Sequence, residues 1–219
     1  MKYRSAFDII GPVMVGPSSS HTAGAVRIGR VARSIFDKQP KKVDIYLYGS
    51  FASTYKGHGT DLALIAGLLD FDTFDERIPD SMKIAEESNM EVVFHTEEAI
   101  PEHPNTVKLR LMDNEDELEI IGISIGGGTI EITEINSFKL KLSGEPAILV
   151  MHQDQFGAVS CVTAILAKYQ INIGHMEVSR KEKGDSAIMV IEVDQKIEEQ
   201  VLEEIRALSN VKEVIRMVA

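Results

Sequence analysis

Gly16-Pro17-Ser18-Ser19-Ser20-His21-Thr22 sets three serine hydroxyls, an imidazole and a threonine hydroxyl side by side, just ahead of an expected helix. Ser and Thr at a helix start supply oxygens that cap free backbone N–H groups, and those N–H groups favour an anion. A carboxylate or phosphate held there would have His21 beside it to move a proton. The plain alternative is a hydroxyl-rich helix cap with a surface histidine. Three more stretches carry residues of the same kind. Tyr48-Gly49-Ser50-Phe51 ends an expected strand, and Ser124-Ile125-Gly126-Gly127-Gly128 closes another. Lys56-Gly57-His58-Gly59-Thr60-Asp61 reads as a loop between a strand and a helix, with a glycine on each side of His58. Functional residues gather at strand ends and loops. Taken singly, the glycine triplet reads as a bulge or tight bend, and His58 as a capping or hydrogen-bonded side chain. The set gains meaning only if the fold brings the loops together.

The elements that must do so follow from periodicity. Ser5 to Val15 reads as a short helix or turn leading into a strand. Thr22 to Phe36 carries Ala25, Val26, Ile28, Val31, Ala32 and Ile35 at helical spacing, with Gly24 and Gly29 allowing another backbone to come close. Val43, Ile45 and Leu47 alternate as a strand. Asp61–Leu69 and Ser81–Asn89 are helical, and Phe71–Pro79 is a loop. Glu91–His95, Thr106–Met112, Leu118–Ile125 and Thr129–Ile135 read as strands. This is a mixed α/β domain over residues 1–142. Ser143 to Pro146 is a short linker, and 146–219 forms a second domain. Strands at Ala147–Met151, Ile171–Val178, Ala187–Val193 and Val211–Val218 alternate with helices at Gly157–Tyr169 and Ile197–Leu208. The order β-α-β-β-α-β is the ferredoxin-like split βαβ, so the fold class is α+β.

Composition narrows the function. The 219 residues carry a net charge of −11, which argues against a nucleic-acid footprint. No run has the length of a membrane span, and no basic-then-apolar leader opens the chain, so a cytoplasmic protein is expected. Cys161 is the single cysteine. It forms no internal disulfide and no multi-thiolate site, and its apolar helical context predicts a small buried hydrophobe. Val159, Val162, Ile165 and Leu166 are expected to face inward on the same helix. Any iron–sulfur chemistry would have to be ligated mainly by another chain. His95 and His103 flank a proline-containing loop and are expected to be solvated, His175 to be structural or near an interface, and the Glu97-Glu98 and Glu198-Glu199 pairs to face solvent or a partner.

Pro146–Ala219 resembles an ACT domain, through the loop His152-Gln153-Asp154-Gln155-Phe156-Gly157 and through Ile171-Asn172-Ile173. The resemblance implies an effector site at His152, Asp154 and Asn172. Asp154 stands where serine-binding ACT domains carry asparagine; an aspartate would repel a ligand carboxylate and could pair with an ammonium. The alternative is a unit used only for dimerisation or docking, and edge-strand pairing between copies implies an oligomer.

Gly16–Thr22, Lys56–Asp61 and Ser124–Gly128, in that order, resemble the β subunits of the bacterial iron–sulfur-dependent L-serine dehydratases. The first domain is also similar to the allosteric substrate-binding domain of some phosphoglycerate dehydrogenases. The resemblance implies half of an L-serine ammonia-lyase that yields pyruvate and ammonia. It implies a [4Fe-4S] cluster held mainly or wholly by a separate α subunit, one iron acting as a Lewis acid on the substrate hydroxyl while a base removes the α-proton. His21 and His58 become the catalytic or substrate-orienting pair, with the base left open between them and the α chain. Ser18, Ser19, Ser20, Thr22 and Thr60 would hold the carboxylate or hydroxyl of L-serine. Lys56 would add positive charge, and Gly126, Gly127 and Gly128 backbone N–H donors. No metal ligand is expected from this chain. The competing reading is a non-catalytic regulatory subunit that binds an amino acid.

Overall fold

The computed structural model describes residues 11–114 and 116–217. The element expected over Ser5–Val15 falls largely outside them, and 11–15 is irregular. The chain divides into two units, Met1–Asn136 and Ser137–Ala219.

In the first unit, β1 (Lys42–Tyr48) buries Val43, Ile45 and Leu47 on one face and leaves the alternate residues half-exposed, as the period-two geometry of a strand requires. β1 runs parallel to β2 (Glu91–Glu97) and antiparallel to β3 (Asn105–Asp113). β3, β4 (Asp116–Gly126) and β5 (Thr129–Ile135) form a meander, so the strands lie in the order β2-β1-β3-β4-β5. The helices α1 (Gly24–Phe36), α2 (Gly49–His58), α3 (Thr60–Leu68) and α4 (Ser81–Glu87) accompany this sheet. The last three lie in the crossover that a parallel pair such as β1–β2 needs. α1 meets α3 backbone to backbone. A Cβ on Gly29 would stand 2.4 Å from the Leu64 carbonyl oxygen, and one on Gly67 would stand 2.1 Å from that of Val26.

One expected loop is helix. Lys56-Gly57-His58 is the last turn of α2, and only Gly59, at φ +64°, separates it from α3. Gly57 adopts helical geometry, whereas Gly59 takes the left-handed conformation that ends a helix and sends its N–H to the Tyr55 carbonyl. His95 is also more ordered than a solvated side chain. Its ring stacks on Tyr46 at 4.5 Å, and its Nε2 lies 3.4 Å from an Asp44 oxygen. His103 Nδ1 accepts the Asn105 N–H at 3.2 Å.

The second unit opens with β6 (Phe138–Leu142). Ser143 donates from both N–H and Oγ to Glu192 Oε1. β7 (Ala147–Gln153), α5 (Ala158–Lys168), β8 (Ile173–Arg180), β9 (Ser186–Val193), α6 (Glu199–Arg206) and β10 (Val211–Met217) follow in the expected order. The sheet order β10-β7-β9-β8 is antiparallel throughout. Ile148, Val150, Val162, Leu166, Ile191, Leu202 and Ile205 lie in its core. Two expectations on α5 fail: Val159 and Cys161 are exposed. The buried stripe runs Ala158, Val162, Ile165, Leu166, and that helical phase turns Val159 and Cys161 outward. His175 is exposed on β8, and Glu98, Glu198 and Glu199 face solvent. Among the described residues, no helix is long and apolar enough to cross a membrane.

Candidate active site

The serine-rich stretch folds as a π turn, Ser19–Ala23, that runs directly into α1. Ser18 caps it: its Oγ accepts the His21 N–H at 3.1 Å, and its carbonyl accepts the Thr22 N–H at 2.8 Å. That cap fixes the backbone of His21, and the ring is fixed in turn. Nδ1 lies 3.0 Å from Ser20 Oγ and 3.5 Å from Ser18 Oγ, and Nε2 lies 2.9 Å from Ser50 Oγ. The Phe51 and His21 rings meet in a T-shaped contact, and the His58 ring sits 4.8 Å from the imidazole, centroid to centroid. Burial, and then the charge of His58, hold His21 below its ordinary histidine range. The imidazole is therefore neutral at neutral pH and able to accept a proton.

His58 owes its place to its position at the end of α2. A last-turn carbonyl has no partner within its helix, and the His58 carbonyl accepts Thr22 Oγ1–H at 3.0 Å. Thr22, expected to hold substrate, is buried and spends its hydroxyl hydrogen on positioning His58. Thr60 is fully buried, and its Oγ1 has no hydrogen-bond partner among the described residues. The same holds for Ser124 Oγ and, within the ring of His58, for Nδ1. Ser124 lies under the start of α1. A Cβ on Gly24 would approach Ser124 Oγ to 2.1 Å and the Ser19 carbonyl to 3.6 Å.

The glycine triplet reaches the same region. Gly126, Gly127 and Gly128 all have positive φ, and the Gly128 carbonyl accepts from Arg27 of α1 at 2.8 Å. A Cβ on Gly11 would lie 3.3 Å from Ser19 Cβ and 3.9 Å from the Gly127 oxygen, so residue 11 bridges the serine turn and the triplet. Ser18, Ser19, Ser20, His21, His58 and the triplet are thus assembled around the head of α1. Lys56 is not among them. It is exposed with its Nζ over the Tyr55 ring, two residues from His58 and so on a different face of α2.

Ser50 and Ser124 Oγ are the residues of this cluster that sequence reasoning did not select as site residues. The Gly49-Ser50 step after β1 was the available signal, because a strand end feeding a helix start points a short polar side chain at whatever lies across it.

In the second unit, His152, Asp154 and Asn172 do not form one cluster within the chain. His152 is buried, with Nδ1 2.8 Å from the Gln153 oxygen and Nε2 unpartnered. Asp154 accepts the Gly184 N–H at 2.9 Å and Arg180 Nη1 at 3.1 Å, which hold its carboxyl below the usual range. Asn172 bonds Asp194 at 2.6 Å, at the opposite end of β9 from Gly184. Among the described residues, no group of three or more His, Cys, Asp or Glu is placed to hold a metal ion.

Comparison with known proteins gives the chain its relatives. The family model described as serine dehydratase β chain matches residues 5–86, and the ACT domain model matches residues 147–210. The chain is 60% identical over 218 residues to the probable L-serine dehydratase β chain of Bacillus subtilis (strain 168), covering 99% of both. It is 39% identical over 198 residues to the L-serine dehydratase β chain of Peptoniphilus asaccharolyticus, covering 89% of both. It is 26% identical over 195 residues to a D-3-phosphoglycerate dehydrogenase of Methanocaldococcus jannaschii, covering 87% of this chain and 36% of that one.

Proposed function

This chain belongs to the L-serine dehydratase β-chain family, and on that premise we propose that it supplies active-site residues to a two-chain L-serine ammonia-lyase. The observation that carries the reading is a paired His21 and His58 at 4.8 Å, together with buried polar atoms that have no partner among the described residues. Buried hydroxyls and ring nitrogens left unpaired are costly. Thr60 Oγ1, Ser124 Oγ and His58 Nδ1 offer the hydrogen bonds that a small zwitterion with a carboxylate and a hydroxyl would complete.

The reaction removes the α-proton and the β-hydroxyl of L-serine as water. The resulting aminoacrylate tautomerises and is hydrolysed to pyruvate and ammonia. The neutral imidazole of His21 is the proton-handling group of this chain, and His58 orients the substrate against it. The hydroxyls of the serine turn bind the carboxylate.

The donor set of this chain does not fit a [4Fe-4S] cluster, which takes several thiolates. Cys161 is the single cysteine and is exposed on α5. The cluster is assigned to the α chain. The α chain is the proposed partner, in a cytoplasmic assembly, and the edge strands β8 and β10 of the second unit are the proposed contacts between copies.

Anaerobic co-expression with the α chain, assaying pyruvate from L-serine, tests this reading. The chain alone should be inactive and the assembly active. His21→Ala and His58→Ala should assemble and lose about 100-fold or more in kcat. If both keep the wild-type maximal rate and alter only its dependence on serine concentration, the chain is a regulatory subunit. The likeness to the phosphoglycerate dehydrogenase favours that second reading.

A further inference from the structure

The imidazole of His21 has a serine hydroxyl on each nitrogen, Ser20 on Nδ1 and Ser50 on Nε2. Ser50 is 29 residues away in sequence, and its backbone is committed elsewhere. Its N–H donates to the Pro104 carbonyl at 2.7 Å, and its carbonyl accepts Thr54 Oγ1–H at 2.7 Å. Ser50 is the second residue of α2, inside the helix and past the position from which a side chain caps it. α2 has no side-chain cap at Tyr48, and Ser50 Oγ points to His21.

A neutral imidazole is a donor on one nitrogen and an acceptor on the other, so its two hydroxyl partners together select a tautomer. One direction in the cluster is fixed by chemistry, because the His21 N–H donates to Ser18 Oγ. Ser18 Oγ stands 3.4 Å from Ser20 Oγ, and Ser20 Oγ stands 3.0 Å from Nδ1. Donation continued in that sense makes Nδ1 an acceptor and leaves the hydrogen on Nε2. We propose that Ser50 is a positioning residue of the reaction: it accepts from Nε2–H of His21, holds the ring as that tautomer, and leaves Nδ1 as the nitrogen that takes up a proton. The inference rests on the proposed role of His21.

The test has two arms. In the first, long-range proton–nitrogen NMR of the full-length chain reads the His21 tautomer at about pH 8, where a histidine with an ordinary pKa is neutral. The His21 signal is assigned by its loss in His21→Gln. The wild type should be dominated by Nε2–H. Ser50→Ala should lower that tautomer ratio about five-fold, the worth of one ordinary hydrogen bond, and Ser50→Thr should restore it. In the second arm, in the assembly with the α chain, Ser50→Ala should lower kcat about ten-fold with a smaller change in KM, and Ser50→Thr should recover most of the loss. An unchanged tautomer ratio in Ser50→Ala overturns the proposal, and so does an altered ratio with unchanged kcat. So does a threonine variant that matches alanine in both arms. A His21→Gln enzyme with full maximal rate would instead sink the parent reading, whatever Ser50 does to the ring.

Discussion

At the scale of single residues, His21 couples the site to stability. Burial first, and then His58, hold its pKa below the ordinary value of 6.5. The unfolded chain therefore takes up a proton at a higher pH than the folded chain does. The stabilisation by neutral His21 is fully present above 6.5, and it falls as pH drops from there through the folded value. Thermal melts between about pH 8 and about pH 5 should show a Tm that declines toward acid, with a shallower decline in His21→Gln. Asp113 and Asp154, held below the carboxylate range by their partners, lose their contributions in a more acidic window and do not obscure the effect. Thr60 gives a second expectation. Thr60→Val removes a fully buried hydroxyl that has no partner while keeping the side-chain shape. The isolated chain should then be unchanged or up to about 1 kcal/mol more stable, whereas KM for L-serine in the assembly should rise. A destabilised chain with unchanged KM would mean that the hydroxyl serves the fold. The types of residue at this site were legible in the sequence, because hydroxyls, histidines and glycines cluster at strand and helix ends. The contact between His21 and Ser50 was not, since it joins side chains 29 residues apart through a packing that no local pattern encodes.

At the scale of elements, the site depends on how closely α1 and α3 cross. α1 carries Ser19–His21 at its head, and α3 begins at Thr60, so their spacing sets the distance between the serine turn and the His58–Thr60 junction. Gly29 and Gly67 permit that spacing, as the glycines of the first helix suggested from sequence alone. Gly67→Ala places a Cβ 2.1 Å from the Val26 carbonyl. It should cost about 1–3 kcal/mol or more, read as a lower denaturation midpoint, and should reduce kcat as the two helices part. Gly57 is the internal control. It is helical and exposed, and a Cβ there meets nothing within 4 Å. Gly57→Ala should stabilise by about 0.5–1 kcal/mol. The same glycine explains the misread loop. Glycines on both sides of His58 suggested a flexible segment, yet a glycine within a helix and one that ends a helix look alike in sequence, and only the backbone conformation of Gly59 separates them. The phase of α5 was missed for a related reason: Val159 and Cys161 are apolar enough to pass for core, and the stripe through Val162, Ile165 and Leu166 leaves them outside.

At the scale of the whole molecule, the chain divides into two units, and the second has a core drawn from its own residues. The core of the second unit draws its buried residues from Ile148 to Val214, all within Ser137–Ala219. Its β-α-β-β-α-β order was legible because each strand and helix keeps its own period over enough residues to be read. β6 was not read as a strand, because its five residues, with buried Phe138, Leu140 and Leu142 alternating with exposed lysines, are too few for the period to stand out. That core carries an energetic consequence. Leu202 is 1% exposed inside the second core, and Leu202→Ala should cost about 2–5 kcal/mol. Amide exchange should locate that cost, with β7 and β9 exchanging faster while β1 and β3 keep their wild-type protection. The His21 ring signals should be unchanged. Equal loss of protection in both sheets would show instead that the two units unfold as one cooperative body, and substitutions in the second unit would then be expected to reach the histidine pair through stability alone.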